Sequence, residues 1–93
     1  MHSFLVHRKG DHVGVAVEDV SRGGKISGVN MDDDTVTPTL VARDDVPLGH
    51  KVALRDIDEG ADVIEYGVRI GLARTRILTG AHVHTHNLKS ARW

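Results

Sequence analysis

Cysteine is absent from this 93-residue chain, so no disulfide closes it and no thiolate is available to a metal. Aromatic rings are nearly absent as well: Phe4, Tyr66 and Trp93 are the whole supply. Core volume must therefore come from Val, Ile, Leu and Ala. No apolar run approaches the roughly 18 residues that a membrane-spanning helix needs. The apolar stretch Phe4-Leu5-Val6 is too short for a secretory leader. An excess of one charge is missing too. Twelve Lys and Arg stand against 13 Asp and Glu, interspersed, and no basic block suggests nucleic acid. These absences predict one cytoplasmic domain over residues 1–93, with neither membrane nor nucleic acid as a partner. A chain this short buries only about 60–65% of its unfolded surface. Self-association, a partner subunit or a metal is expected to support it.

Histidine and glycine are what the chain has instead: seven of one and ten of the other. The glycines punctuate a repeat. Residues 15–26 (Val-Ala-Val-Glu-Asp-Val-Ser-Arg-Gly-Gly-Lys-Ile) align with residues 52–63 (Val-Ala-Leu-Arg-Asp-Ile-Asp-Glu-Gly-Ala-Asp-Val). A shortened third copy reads Ile77-Leu78-Thr79-Gly80-Ala81-His82-Val83. Each copy suggests a strand, a turn and a return strand. Glycine supplies the positive φ of the bend, and Asp19 or Asp56 can bond its own backbone two residues on. β-Branched flanks favour extended chain.

Strands are accordingly predicted at 4–7, 13–17, 26–29, 35–42, 50–54, 63–66, 69–74 and 83–88. Pro38 should put the fourth of these at an edge or bulge. A helix is possible only around 69–76, flanked by Gly67 and Gly71, and is disfavoured. The expected fold class is mainly β, folded over on itself, with little helix.

Three histidines alternate at His82-Val83-His84-Thr85-His86, followed by Asn87. In an extended strand His82, His84 and His86 share one face, about 6–7 Å apart. Such a face could bind a metal, an oxyanion or a moving proton. No carboxylate lies within five positions, so a complete mononuclear site is not encoded locally. A second candidate is Gly49-His50-Lys51, where glycine lets the backbone approach a ligand, histidine moves a proton and lysine binds an anion. Asp32-Asp33-Asp34 reads as a solvated loop rather than a cation site. His2, His7 and His12 read as surface residues or strand ends.

Three segments together resemble one known family. Gly49-His50-Lys51, Tyr66-Gly67 with Ile70-Gly71, and His82-Val83-His84 with His86-Asn87-Leu88 look like the N-terminal SAF-type module of altronate/galactarate dehydratases. The opening Phe4-Leu5-Val6-His7 and Gly10-Asp11-His12-Val13-Gly14-Val15-Ala16 is most similar to the sulfolactate sulfo-lyase branch, where the module is a freestanding small subunit. The resemblance implies a β-clip fold, a large catalytic partner subunit, and an iron-type divalent cofactor held largely by that partner. It implies a β-elimination from a 2-hydroxy acid: sulfolactate to pyruvate and bisulfite, or water from a sugar acid. It also implies site residues: His50, His84 and His86 for the chemistry, Lys51 and Asn87 for anion contact, and His82, His84 and His86 as metal candidates. A non-catalytic module that binds an anionic sugar is the alternative from another class. One departure is Glu65, where relatives often carry lysine, and position 65 is left out of the expected site.

Overall fold

A computed structural model describes residues 2–90 and contains no helix among them. Ten short strands run in chain order: β1 Phe4–Val6, β2 Val13–Ala16, β3 Lys25–Ile26, β4 Gly28–Asn30, β5 Leu40–Val41, β6 Lys51–Ala53, β7 Asp62–Glu65, β8 Val68–Ala73, β9 His82–Val83 and β10 Leu88–Ser90. A five-stranded sheet has the order β4-β1-β2-β6-β9, in which only β1 and β4 are parallel. A three-stranded sheet, β10-β8-β7, and a ribbon, β3-β5, fold against it. The mainly β expectation holds, and 68–73 is a strand rather than a helix.

The repeat is deeper than the sequence suggested. Four segments, not three, share the pattern Ala-x-x-x-Val/Ile-x-x-Gly: 16–23, 42–49, 53–60 and 73–80. They associate as two crossed pairs. Val20 and Val46 exchange backbone bonds in both directions, as do Ile57 and Ile77. Within each pair every turn glycine donates its N–H to the partner's alanine: Gly23 to Ala42, Gly49 to Ala16, Gly60 to Ala73 and Gly80 to Ala53. All four glycines hold φ between +81° and +88°, a region that costs an L-residue roughly 1–2 kcal/mol. Gly49 is thus a repeat glycine, whereas the sequence reading set it apart from the repeat.

The aspartates of three of the turns also work differently from expectation. Asp19 Oδ1 accepts the Leu48 N–H, Asp45 Oδ1 the Arg22 N–H, and Asp56 Oδ1 the Thr79 N–H. Each carboxylate caps the facing turn instead of its own backbone, because pairing brings those donors within 2.9 Å.

Each pair owns a core. Phe4, Val6, Val20, Ile26, Val46 and Val52 pack around the first. Val13, Ile57, Val63, Ile77 and Val83, with Ala53 and Ala73, pack around the second. Full burial of one such Val, Ile or Phe is worth about 1.5–3 kcal/mol, so small side chains suffice when two tight turns hold them together. Phe4, wholly buried, is the one large ring in either cluster among the described residues.

Three predicted strands are broken. The 26–29 run is split at Ser27 between β3 and β4. In the 35–42 run, Thr37 bonds Gly28 through both its N–H and its Oγ1, Pro38 has no N–H to offer, and only Leu40–Val41 is strand. The 83–88 run stops at Val83. There Asn87 Oδ1 accepts the His84 N–H, and Asn87 Nδ2 donates to the His82 carbonyl. The N–H groups of Asn87 and Leu88 both return to His84 O. Those bonds make 84–87 a turn, so His82, His84 and His86 do not share a strand face.

Candidate functional site

The pairing of β6 with β9 builds the site. Lys51 lies opposite Val83 and Val52 opposite His82. His50 follows turn glycine Gly49 by one residue, and His82 follows Gly80 by two. Two turns from different pairs thereby deliver imidazoles to one spot. His50 Nδ1 and His82 Nε2 are 2.9 Å apart, a hydrogen bond with one shared proton. The His84 ring stacks 4.7 Å from His50 and 5.5 Å from His82. One ring nitrogen from each of His50, His82 and His84 lies within 4.8 Å of the others.

The turn that breaks the predicted strand is therefore what folds His84 back toward His50. His86 is exposed, with its ring 5.5 Å from His82 alone. It stands beside the trio rather than in it, and His50 takes the place that spacing had given to His86. Asn87 is buried, and its amide holds the turn closed. That is a structural role where an anion contact had been expected.

A cleft of about 420 Å³ opens beside the trio, lined by His50, His84, Lys51 and Glu65 over an apolar floor of Ile70 and Leu88. Lys51 is where sequence placed it, half-buried in the wall. Glu65 is the residue that sequence reasoning set aside. Only 4% exposed, its carboxylate sits between Lys51 Nζ at 3.6 Å and His7 Nε2 at 3.5 Å. A buried carboxylate requires such partners. His7 is accordingly not a free surface residue, and its ring also stacks on Tyr66 at 3.9 Å.

Tyr66 and Gly67 form the tight β7–β8 turn, both with positive φ. Buried Asp11 holds that turn by accepting both N–H groups and that of Arg8. His12, half-buried, accepts the Ile64 N–H. The Asp32–Asp34 loop is exposed, as expected. Asp32 accepts the Lys9 N–H, and Thr35 holds the Asp33 carboxyl below its usual range.

Electrostatics favour a neutral His82 ring. Burial lowers the His82 pKa first, and the neighbouring His50, His86 and His84 lower it further, against the carboxylate of Asp44. Asp44 also accepts the His82 N–H. The arrangement offers the His82 ring nitrogen unprotonated, with Lys51 lining the same cleft as His50 and His84. Such a set can take a cation, an anion bridging to Lys51, or a proton in transit.

The SAF domain of altronate/galactarate dehydratases matches residues 2–91. The alpha subunit of (2R)-sulfolactate sulfo-lyase from Chromohalobacter salexigens is 45% identical over 91 residues, covering 97% of this chain and 96% of that one. The counterpart from Paracoccus pantotrophus is 48% identical over 54 residues, 58% of this chain and 81% of that one. Altronate dehydratase from Escherichia coli is 46% identical over 80 residues, 86% of this chain but 15% of the longer protein. These relatives are lyase and dehydratase enzymes or subunits of them. The chain belongs to the altronate/galactarate dehydratase SAF-domain family.

Proposed function

We propose that the chain is the small subunit of a heteromeric, metal-dependent lyase acting on a 2-hydroxy acid, with (2R)-3-sulfolactate as substrate. The observation that carries this reading is coverage. The similarity spans 96% of a sulfo-lyase alpha subunit but only 15% of an altronate dehydratase, so the shared unit matches a whole subunit in one case and one module in the other.

In the reaction the proton on C2 leaves, the C3–S bond breaks and sulfite departs. The resulting enol takes a proton at C3 to give pyruvate. A divalent ion bound to the substrate carboxylate and hydroxyl would acidify the C2 proton and hold the developing charge. This chain's residues do the rest on their side of the cleft. Lys51, held by Glu65, binds an anionic group of the substrate. The histidines of the β6–β9 seam act on the substrate from the same wall, as acid or base or by binding the metal–substrate complex. Ile70 and Leu88 keep water from the floor. A large partner subunit supplies the remaining walls, a reading supported by relatives that are themselves alpha subunits.

The test is reconstitution. The chain alone with ferrous ion should leave sulfolactate intact, and adding the large subunit of a sulfolactate sulfo-lyase should give pyruvate. His50→Ala and His84→Ala should each lower turnover at least about a hundredfold without preventing assembly. The 46% identity to altronate dehydratase favours a second reading, the small subunit of a sugar-acid dehydratase. Turnover of altronate but not sulfolactate selects it. No turnover of either, with altronate still bound, leaves an anionic-sugar-binding module.

A further inference from the structure

Three imidazoles converge, and the carboxylate beside them, Asp44, accepts the His82 backbone N–H; the convergence calls for a chemical reason. Packing does not provide one: His84 is exposed and His50 and His82 are only half-buried. Nor does ion pairing, since the cleft's one buried carboxylate, Glu65, is committed to Lys51 and His7. The three nitrogens are within 4.8 Å of one another, and two of them already within 2.9 Å. Imidazole nitrogens on a tetrahedral ion stand about 2.0–2.1 Å from it, hence about 3.3 Å from each other. Small rotations of the His84 ring, which solvent leaves free, close the difference.

We propose that His50, His82 and His84 together hold one divalent first-row transition-metal ion within this chain. The ion replaces the proton shared by His50 and His82. Imidazole donors suit zinc, iron, cobalt or nickel rather than magnesium or calcium. Three neutral ligands leave the ion's double charge uncompensated and one position open. His50 and His84 both face the cleft, so that open position is where an anionic chelating ligand arrives. Lys51 on the same wall then meets a second anionic group. The site takes His50 rather than His86 as a ligand, and His86 stands beside His82 outside it.

This site deepens the lyase reading, but its test requires neither partner nor turnover. The chain, stripped with chelator, is titrated with cobalt(II), whose visible bands report tetrahedral nitrogen coordination, and with zinc(II) in a calorimeter. One ion per chain is expected. His84→Ala, which removes an exposed side chain and spares the fold, should weaken binding at least about a hundredfold, beyond what loss of a second-shell partner costs. His50→Ala should do the same, with circular dichroism confirming the β fold. His86→Ala should bind within about twofold of the parent chain. Absence of saturable one-to-one binding overturns the proposal. Binding that survives His84→Ala, or that His86→Ala abolishes equally, overturns it as well. A chain that binds the ion but never yields a lyase defeats the functional reading and leaves the metal site standing.

Discussion

The turn pair 16–23 with 42–49 and the turn pair 53–60 with 73–80 are one device built twice, and they differ in what surrounds it. Both exchange two bonds at their apolar centres and two from glycine to alanine. The first pair is capped symmetrically, Asp19 on Leu48 and Asp45 on Arg22. The second is capped once, by Asp56 on Thr79. The position that would hold the other carboxylate is Arg76, which pairs with Asp56 and Asp58 instead. The surroundings of the glycines differ as well. A methyl group on Gly23, Gly49 or Gly60 would meet open space, whereas one on Gly80 would collide with the Val41 carbonyl. Gly80 also accepts the Arg43 N–H. The two halves therefore meet at Gly80, and the histidine trio is strung across that meeting. The backbone plan was free to repeat; the seam was not, and the candidate site sits on the seam.

The sharpest way to break the comparison is to put alanine at equivalent glycines. Gly23→Ala should cost about 1–2 kcal/mol, the cost of a left-handed alanine alone. Gly80→Ala adds a collision with backbone that cannot rotate away, and should exceed about 4 kcal/mol. Urea midpoints of the two variants measure this. Equal losses would mean that the seam is loose and that the halves are joined elsewhere.

A milder contrast comes from the caps. Asp19→Ala and Asp45→Ala each leave a turn N–H without its carboxylate and should cost about 1 kcal/mol. Arg76→Ala occupies the equivalent position but loses only exposed ion pairs, and should stay within about 0.5 kcal/mol. Thermal unfolding of the three variants ranks them. An Arg76→Ala loss equal to that of Asp45→Ala would show that the guanidinium does the work of the missing cap.

Much of the fold was legible because glycine, aspartate and β-branched residues announce turns and strands locally. Val15–Ile26 and Val52–Val63 align by eye, while the copy at 42–49 escaped. Its Arg43-Asp44-Asp45 and Pro47-Leu48 resemble neither neighbour, and its identity shows only when Val46 meets Val20. Part of the site was legible too. Gly49-His50-Lys51 advertised itself, and the clustered histidines did so even though the alternation suggested the wrong geometry. The signal for the turn was present in Asn87, a residue whose amide readily holds turns. Glu65 was not legible. A carboxylate becomes a buried partner of His7 and Lys51 only when β1, β6 and β7 come together, and no local pattern encodes that convergence.

The smallest expected effect separates the halves by pH. His12 sits where β2 reaches β7, its Nδ1 3.2 Å from both the Ile64 N–H and the Asp62 carbonyl. Burial first, then the nearby Arg55, lower its pKa below the ordinary 6.5. The fold thus prefers the neutral ring, whose Nδ1 accepts from Ile64; a proton there removes that acceptor. An unfolded chain binds the proton more readily, so the contribution of His12 is complete above about pH 6.5 and is lost as pH falls from there toward the folded-state value. The loss should fall on the second half. Amide exchange at about pH 8 and about pH 5.5, corrected for intrinsic rates, should show Ile64 losing more protection in acid than Val20, which is anchored in the first pair. His82, also lowered, titrates in the same direction, so the His12→Asn variant is the discriminating measurement. It should abolish the difference between Ile64 and Val20 while leaving the shared acid sensitivity. If Ile64 and Val20 lose protection in step in the parent chain, the two halves open as one unit, and the comparison describes their construction but not their stability.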